Sequence, residues 1–136
     1  MRNYRPSPLV ASRKLKRVYP YHWGLVFGFH LEMDKGRLLE SIVASLLGLE
    51  YYWREGGKEV DFLLRRDGKI IPIEVKAKEE VDANELKNMK CLMKKFGVER
   101  GRVVYPEKEI EMIELGGVMV ECVPLVKLCL YGLTAR

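Results

Sequence analysis

Asp61, Glu74 and Lys76 are the residues whose types and spacing point most directly to chemistry. Residues 58–65 and 70–77 alternate between apolar and polar, the period of two that half-buried strands require. Between them Asp67-Gly68 is a strong signal for a two-residue type I′ turn. Such a hairpin pairs positions whose numbers sum to 135, as those of Asp61 and Glu74 do. The two carboxylates then face each other on one side of the ladder, with Cβ atoms about 4.5–5.5 Å apart. Lys76 falls on that same side opposite Glu59, unless a bulge disturbs the register.

Like charges directly opposite one another destabilise a ladder, so folding alone gives little reason for this pair. A divalent cation supplies one. Mg²⁺ accepts one or two carboxylates, keeps several waters and takes the rest of its shell from phosphate oxygens. Lys76 beside them would orient or deprotonate a water and offset charge developing on a phosphate. Glu40, on a helix expected upstream, would reach the same ion or its surroundings. The alternative is an ordinary charged sheet face in which Lys76 pairs with Glu59, or with Glu74 and Asp61. Spacing and face weigh these two readings about equally.

Other reactive residue types form no pattern. Cys91, Cys122 and Cys129 are odd in number, widely spaced and set among apolar residues, which predicts reduced core thiols rather than disulfides or a metal site. His22 and His30 lack HxxxH or HExxH context, and no serine lies in a nucleophile elbow.

The elements that must position the triad follow from periodicity. A helix is expected over 35–47, with Asp34 as its N-cap and Gly48 as its stop. Leu38, Leu39, Ile42, Val43, Leu46 and Leu47 give it one broad apolar face, with Glu40 at the edge. A strand at Tyr51–Arg54 and a Gly56-Gly57 turn lead into the hairpin, with Tyr52 and Trp53 expected to pack on the sheet. Val60, Phe62 and Leu64 should share one face of the first hairpin strand, against Glu59, Asp61, Leu63 and Arg65. Ile71, Ile73, Val75 and Ala77 should likewise oppose Pro72, Glu74 and Lys76. Asp82 and Glu85 resemble a capping box for a second helix ending at Phe96, which carries an apolar stripe and a basic face of Lys87, Lys90, Lys94 and Lys95. A strand at Gly101–Tyr105, a hairpin (Ile110–Leu115 with Val118–Val123) and a helix over Pro124–Tyr131 complete the chain. The order α-β-β-β-α-β, with a hairpin and helix appended, predicts an α/β fold with helices on a mixed sheet.

At 136 residues the chain suits a single domain, and 48% hydrophobic with 32% charged residues is ordinary globular composition. No apolar run is long enough for a bilayer and no signal-peptide core is visible, so a cytoplasmic location without membrane association is expected. The absence of Gln alongside abundant Lys, Arg and Glu leans towards a thermophile. Charge divides the chain: residues 1–31 form a basic arm of +6, and residues 32–136 total −1. Tyr4, Tyr19, Tyr21 and Trp23 interleave with that arm. Arg13, Lys14, Lys16 and Arg17 would there track nucleic-acid phosphates, while a merely solvated arm is an equal reading.

Gly57–Phe62 and Ile71–Lys76 together resemble the PD-(D/E)xK nuclease superfamily, in which an Asp on one strand and ExK on the next follow a helix carrying Glu. The resemblance is strongest to the C-terminal nuclease-like domain of archaeal and bacterial P-loop ATPases. Gly36–Glu40, Tyr51–Arg54, Glu59–Phe62 and Ile73–Lys76 match its motifs in order, and the likeness runs from about Pro8 to Gly132. Archaeal Holliday-junction resolvases are similar in their site. The resemblance implies a restriction-endonuclease-like fold and a metal-dependent endonuclease acting on DNA. It makes Asp61, Glu74 and Glu40 ligands of Mg²⁺ (or Mn²⁺), and it sets Lys76 at the nucleophile. No GxxxxGK[ST] loop is present, so an ATPase is expected only as a partner. A homodimer is expected where both strands are cut. The competing expectation is a non-catalytic module that binds nucleic acid or protein.

Overall fold

The computed structural model describes residues 2–4, 35–77, 86–106 and 111–131. Among them, strand β1 is Arg2–Asn3, helix α1 is Lys35–Leu47, and β2, β3 and β4 are Tyr51–Glu55, Lys58–Arg66 and Lys69–Val75. Helix α2 (Lys87–Phe96), β5 (Arg100–Tyr105), β6 (Glu111–Leu115), β7 (Val118–Pro124) and α3 (Leu125–Tyr131) follow. The expected α-β-β-β-α-β order is the order found, in an α/β fold built on one mixed sheet of order β1-β2-β3-β4-β5-β7-β6. β4, β5 and β7 run parallel; β2 with β3, β3 with β4 and β6 with β7 are antiparallel. The appended hairpin is therefore part of the sheet, with β7 inserted between β5 and β6.

Two apolar layers sandwich the sheet. Leu39, Val43 and Ala44 of α1 and Leu128 of α3 pack with Phe62, Leu64, Ile73, Val75 and Val104. On the other face, Met89, Leu92 and Met93 of α2 pack with Trp53, Val60, Leu63, Val103 and Val120. The neighbours Val103 and Val104 fall into different layers, as do Leu63 and Leu64, because successive strand residues point to opposite faces. Gly48 and Gly97 end α1 and α2 at positive φ, and the Gly97 N–H donates to the Met93 carbonyl. Lys94 and Lys95 lie in the last turn of α2, where cations favour the helix dipole.

Several expectations change. α2 begins at Lys87, with Leu86 at its N-cap and no side-chain cap; Asp82 and Glu85 lie outside the described residues, as does Asp34. Val60 does not share a face with Phe62 and Leu64. Between the pairs Tyr51↔Leu63 and Trp53↔Val60, β2 advances two residues while β3 advances three. The extra residue is a bulge at Asp61–Phe62, which sends Val60 to the α2 layer and leaves Phe62 on the α1 layer. The cysteines are free, as expected, yet only Cys122 is buried; Cys91 is half-buried and Cys129 exposed. Cys91 lies on α2 and its Sγ meets the Lys58 ammonium at 3.2 Å, while Cys129 lies on the outer side of a short terminal helix.

Candidate functional site

The hairpin register is the one the turn dictates. Asp67 and Gly68 both have positive φ, 51° and 75°, and pairing runs from Arg66↔Lys69 to Phe62↔Ile73. Beyond Phe62 the two strands part, β3 continuing against β2 and β4 against β5. At this fork side chains take over from backbone acceptors. The Val75 N–H donates to Asp61 Oδ2 at 2.9 Å, and the Asp61 N–H donates to Glu74 Oε1 at 3.3 Å. The bulge in β3 thus coincides with the point where its Asp is needed, a common use of bulges beside functional sites.

Glu74 is only 7% exposed. Burial raises its pKa well above the ordinary value, since charge is costly away from water. The neighbouring Asp61 charge and a hydrogen bond between the two carboxyls raise it further; Lys76 and the Asp61 N–H pull in the other direction. The Lys76 ammonium lies 4.0 Å from Glu74 Oε2 with its side chain 25% exposed, so it sits at the mouth of the pair. The Lys76 N–H donates to the Val104 carbonyl at 2.9 Å, tying this residue to β5. It does not stand opposite Glu59, because the ladder has already split; Glu59 pairs with Arg54 at 2.8 Å. Of the two sequence-level pairings for Lys76, the one with Glu74 is found.

Glu40 is half-buried on α1. No group of three or more His, Cys, Asp or Glu side chains gathers where it could hold a metal among the described residues, so the donor set is the two-carboxylate pair. Arg13, Lys14, Lys16, Arg17, His22 and His30 lie outside the described residues. On α2, Lys87 and Lys94 are exposed, whereas Lys95 pairs with Glu55 at 2.6 Å. Tyr52 and Trp53 are both buried against the sheet, as expected. Sequence reasoning missed the contribution of the N-terminus: β1 adds to β2 in parallel, and the Tyr4 N–H donates to the Tyr52 carbonyl. A two-residue strand leaves no alternation to read.

Fold and site together define an α/β domain in which a carboxylate pair and a lysine occupy the fork of a central hairpin. The chain belongs to the DUF4143 family, a domain of unknown function whose model matches residues 35–128. The match spans α1 through most of α3 and so includes the whole fork. Comparisons with curated proteins and with solved structures give no match. Among the described residues, no helix is long and apolar enough to cross a membrane.

Proposed function

We propose that this domain hydrolyses phosphodiester bonds in DNA, with Mg²⁺ or Mn²⁺ as cofactor. The observation that carries this reading is the meeting of Asp61 and Glu74 at the fork, with Lys76 at 4.0 Å from Glu74. Two carboxyls in contact, one of them buried, are costly to maintain without a compensating ligand. Their hard oxygen donors fit Mg²⁺, which needs only one or two carboxylates from a protein. Asp61 and Glu74 would hold the ion; Glu40 of α1, expected as a further ligand, does not gather with them into a three-carboxylate group. When bound, such an ion polarises a phosphoryl oxygen and lowers the pKa of a water.

The chain's own groups do the rest. Lys76 offsets negative charge that builds on the phosphoryl oxygens, and its partial exposure leaves it accessible to a substrate. The hydrogen bonds from Val75 and Asp61 backbone N–H groups fix both carboxylates relative to the strands. Burial of Glu74 places these charges in a lower dielectric, where each acts more strongly. The motif resemblance to PD-(D/E)xK nucleases supports the same assignment, as do the basic residues of the N-terminal arm for DNA. An ATPase supplied by another chain, and a second copy where both strands are cut, are the partners this reading implies.

The test is metal-dependent cleavage of labelled linear, branched and single-stranded DNAs. Asp61→Asn and Glu74→Gln keep an acceptor for the backbone N–H groups while removing charge, so they separate chemistry from folding. Each, like Lys76→Ala, is expected to lower the cleavage rate by about 10²-fold or more, with the circular dichroism spectrum unchanged. Full activity in Glu74→Gln would sink the assignment. The same two hydrogen bonds favour a second reading, a non-catalytic binding module in which the carboxylates serve only to cap the fork. Absence of cleavage with either ion, together with DNA or protein binding, would select it.

A further inference from the structure

The other end of the β3–β4 hairpin carries a charge arrangement that mirrors the fork with opposite sign. Arg66 and Lys69 are direct cross-strand partners at the last rung before the turn. Like charges so placed destabilise a ladder, and Arg100 adds a third on the adjoining strand β5. All three are exposed, and among the described residues none makes a side-chain hydrogen bond or ion pair. Some basic residues elsewhere are matched, Arg54 with Glu59 at 2.8 Å, Lys95 with Glu55 at 2.6 Å and Arg102 with Glu121 at 3.3 Å, whereas Arg65, Lys87 and Lys94 are exposed like these three.

The three cations line one groove of about 780 Å³, between the hairpin turn and the connection from α2 to β5. Buried Arg102, held by Glu121 and the Gly101 carbonyl, also lines it. Asp67 and Glu99 stand at the same groove without pairing with the cations. The surplus is positive and unneutralised, which fits a polyanion.

We propose that this groove binds the phosphodiester backbone of DNA through Arg66, Lys69 and Arg100, apart from the bond presented to Asp61 and Glu74. The position of that bond rests on the nuclease reading; the binding itself does not. Three phosphate contacts anchor and orient a duplex without reading its sequence.

The experiment measures binding of a fluorescent DNA duplex to the full chain by anisotropy, in EDTA, over a range of salt concentrations. The triple variant Arg66→Ala/Lys69→Ala/Arg100→Ala is compared with the parent and with Arg66→Lys/Arg100→Lys, which keeps the charges. The expected result is an affinity loss of about 10-fold or more in the triple variant, with a salt slope shallower by about three, and a slope unchanged in the lysine variant. Unchanged affinity and slope in the triple variant would overturn the proposal, as would failure of the parent to bind duplex at all. Inorganic phosphate at matched ionic strength is the control for a small-anion site, and selective displacement of the duplex by it would also overturn the backbone assignment. Cleavage in Mg²⁺ keeps the two readings apart. A parent that binds through the groove but never cuts refutes the nuclease and leaves the groove standing. A triple variant that binds and cuts like the parent refutes the groove alone.

Discussion

Glu74 holds its proton more tightly in the folded chain than out of it, because burial, Asp61 and their shared hydrogen bond all disfavour its charge. A carboxyl with a raised folded pKa contributes stability that is complete below its ordinary value near 4.5 and is lost as pH rises through the folded value. Metal-free protein is therefore expected to lose stability as pH rises above that ordinary value. Glu74→Gln, which cannot ionise, should flatten that slope and be the more stable form at pH above the folded value. Urea denaturation in EDTA across this range checks it, and parallel pH profiles for parent and variant would show that Glu74 does not drive the loss. At this scale much was readable beforehand. The Asp67-Gly68 turn dictated the pairing as far as Phe62↔Ile73 and so brought Asp61 beside Glu74. The two meet at the fork, however, through backbone-to-carboxylate hydrogen bonds rather than as the ladder rung that counting predicts. The meeting of Lys58 and Cys91 was not readable, since the two are 33 positions apart on different elements and neither type announces the other.

Elements were legible where their periodicity was long. The helix α1, the hairpin β3–β4 and the strand β5 lie within a residue or two of their expected bounds because thirteen, nine, seven and six residues respectively carry the pattern. The bulge at Asp61–Phe62 escaped because it is a relation between β2 and β3, and strict alternation along β3 alone conceals it. Helix α2 illustrates how closely the layers fit. A Cβ on Gly101 of β5 would stand 2.8 Å from Met89 Sδ, 3.1 Å from Met93 Sδ and 3.4 Å from Pro72 Cγ. The absence of a side chain there lets α2 lie down on the sheet beside the fork. Gly101→Val should then cost about 1–3 kcal/mol through overpacking, measured as a lower urea midpoint. Gly101→Ala should cost less, since methionine side chains can yield. Equal stability of parent and Gly101→Val would mean that the helix does not rest on this strand as described.

For the molecule as a whole, the decisive feature is the sheet's first strand. Tyr4 packs edge-on against Tyr51 at 5.7 Å and against Phe96 at 5.6 Å, so a residue of the basic arm joins the sheet to the end of α2. Each such aromatic contact contributes about 0.5–1.5 kcal/mol, and Tyr4→Ala is expected to lower stability by about 1–3 kcal/mol in thermal or urea melts. An unchanged melt would detach β1 from the fold. Deleting residues 1–17 to test the arm for DNA binding would remove this strand too, so neutralising Arg13, Lys14, Lys16 and Arg17 is the cleaner change. The position of β1 also sets a timetable for synthesis. Arg2 pairs with Tyr51, 49 residues later in the chain. At about 5–20 residues per second, the ribosome finishes β1 roughly 2–10 s before its partner is translated. Throughout that interval the strand and its tyrosine lack the strand on which they dock.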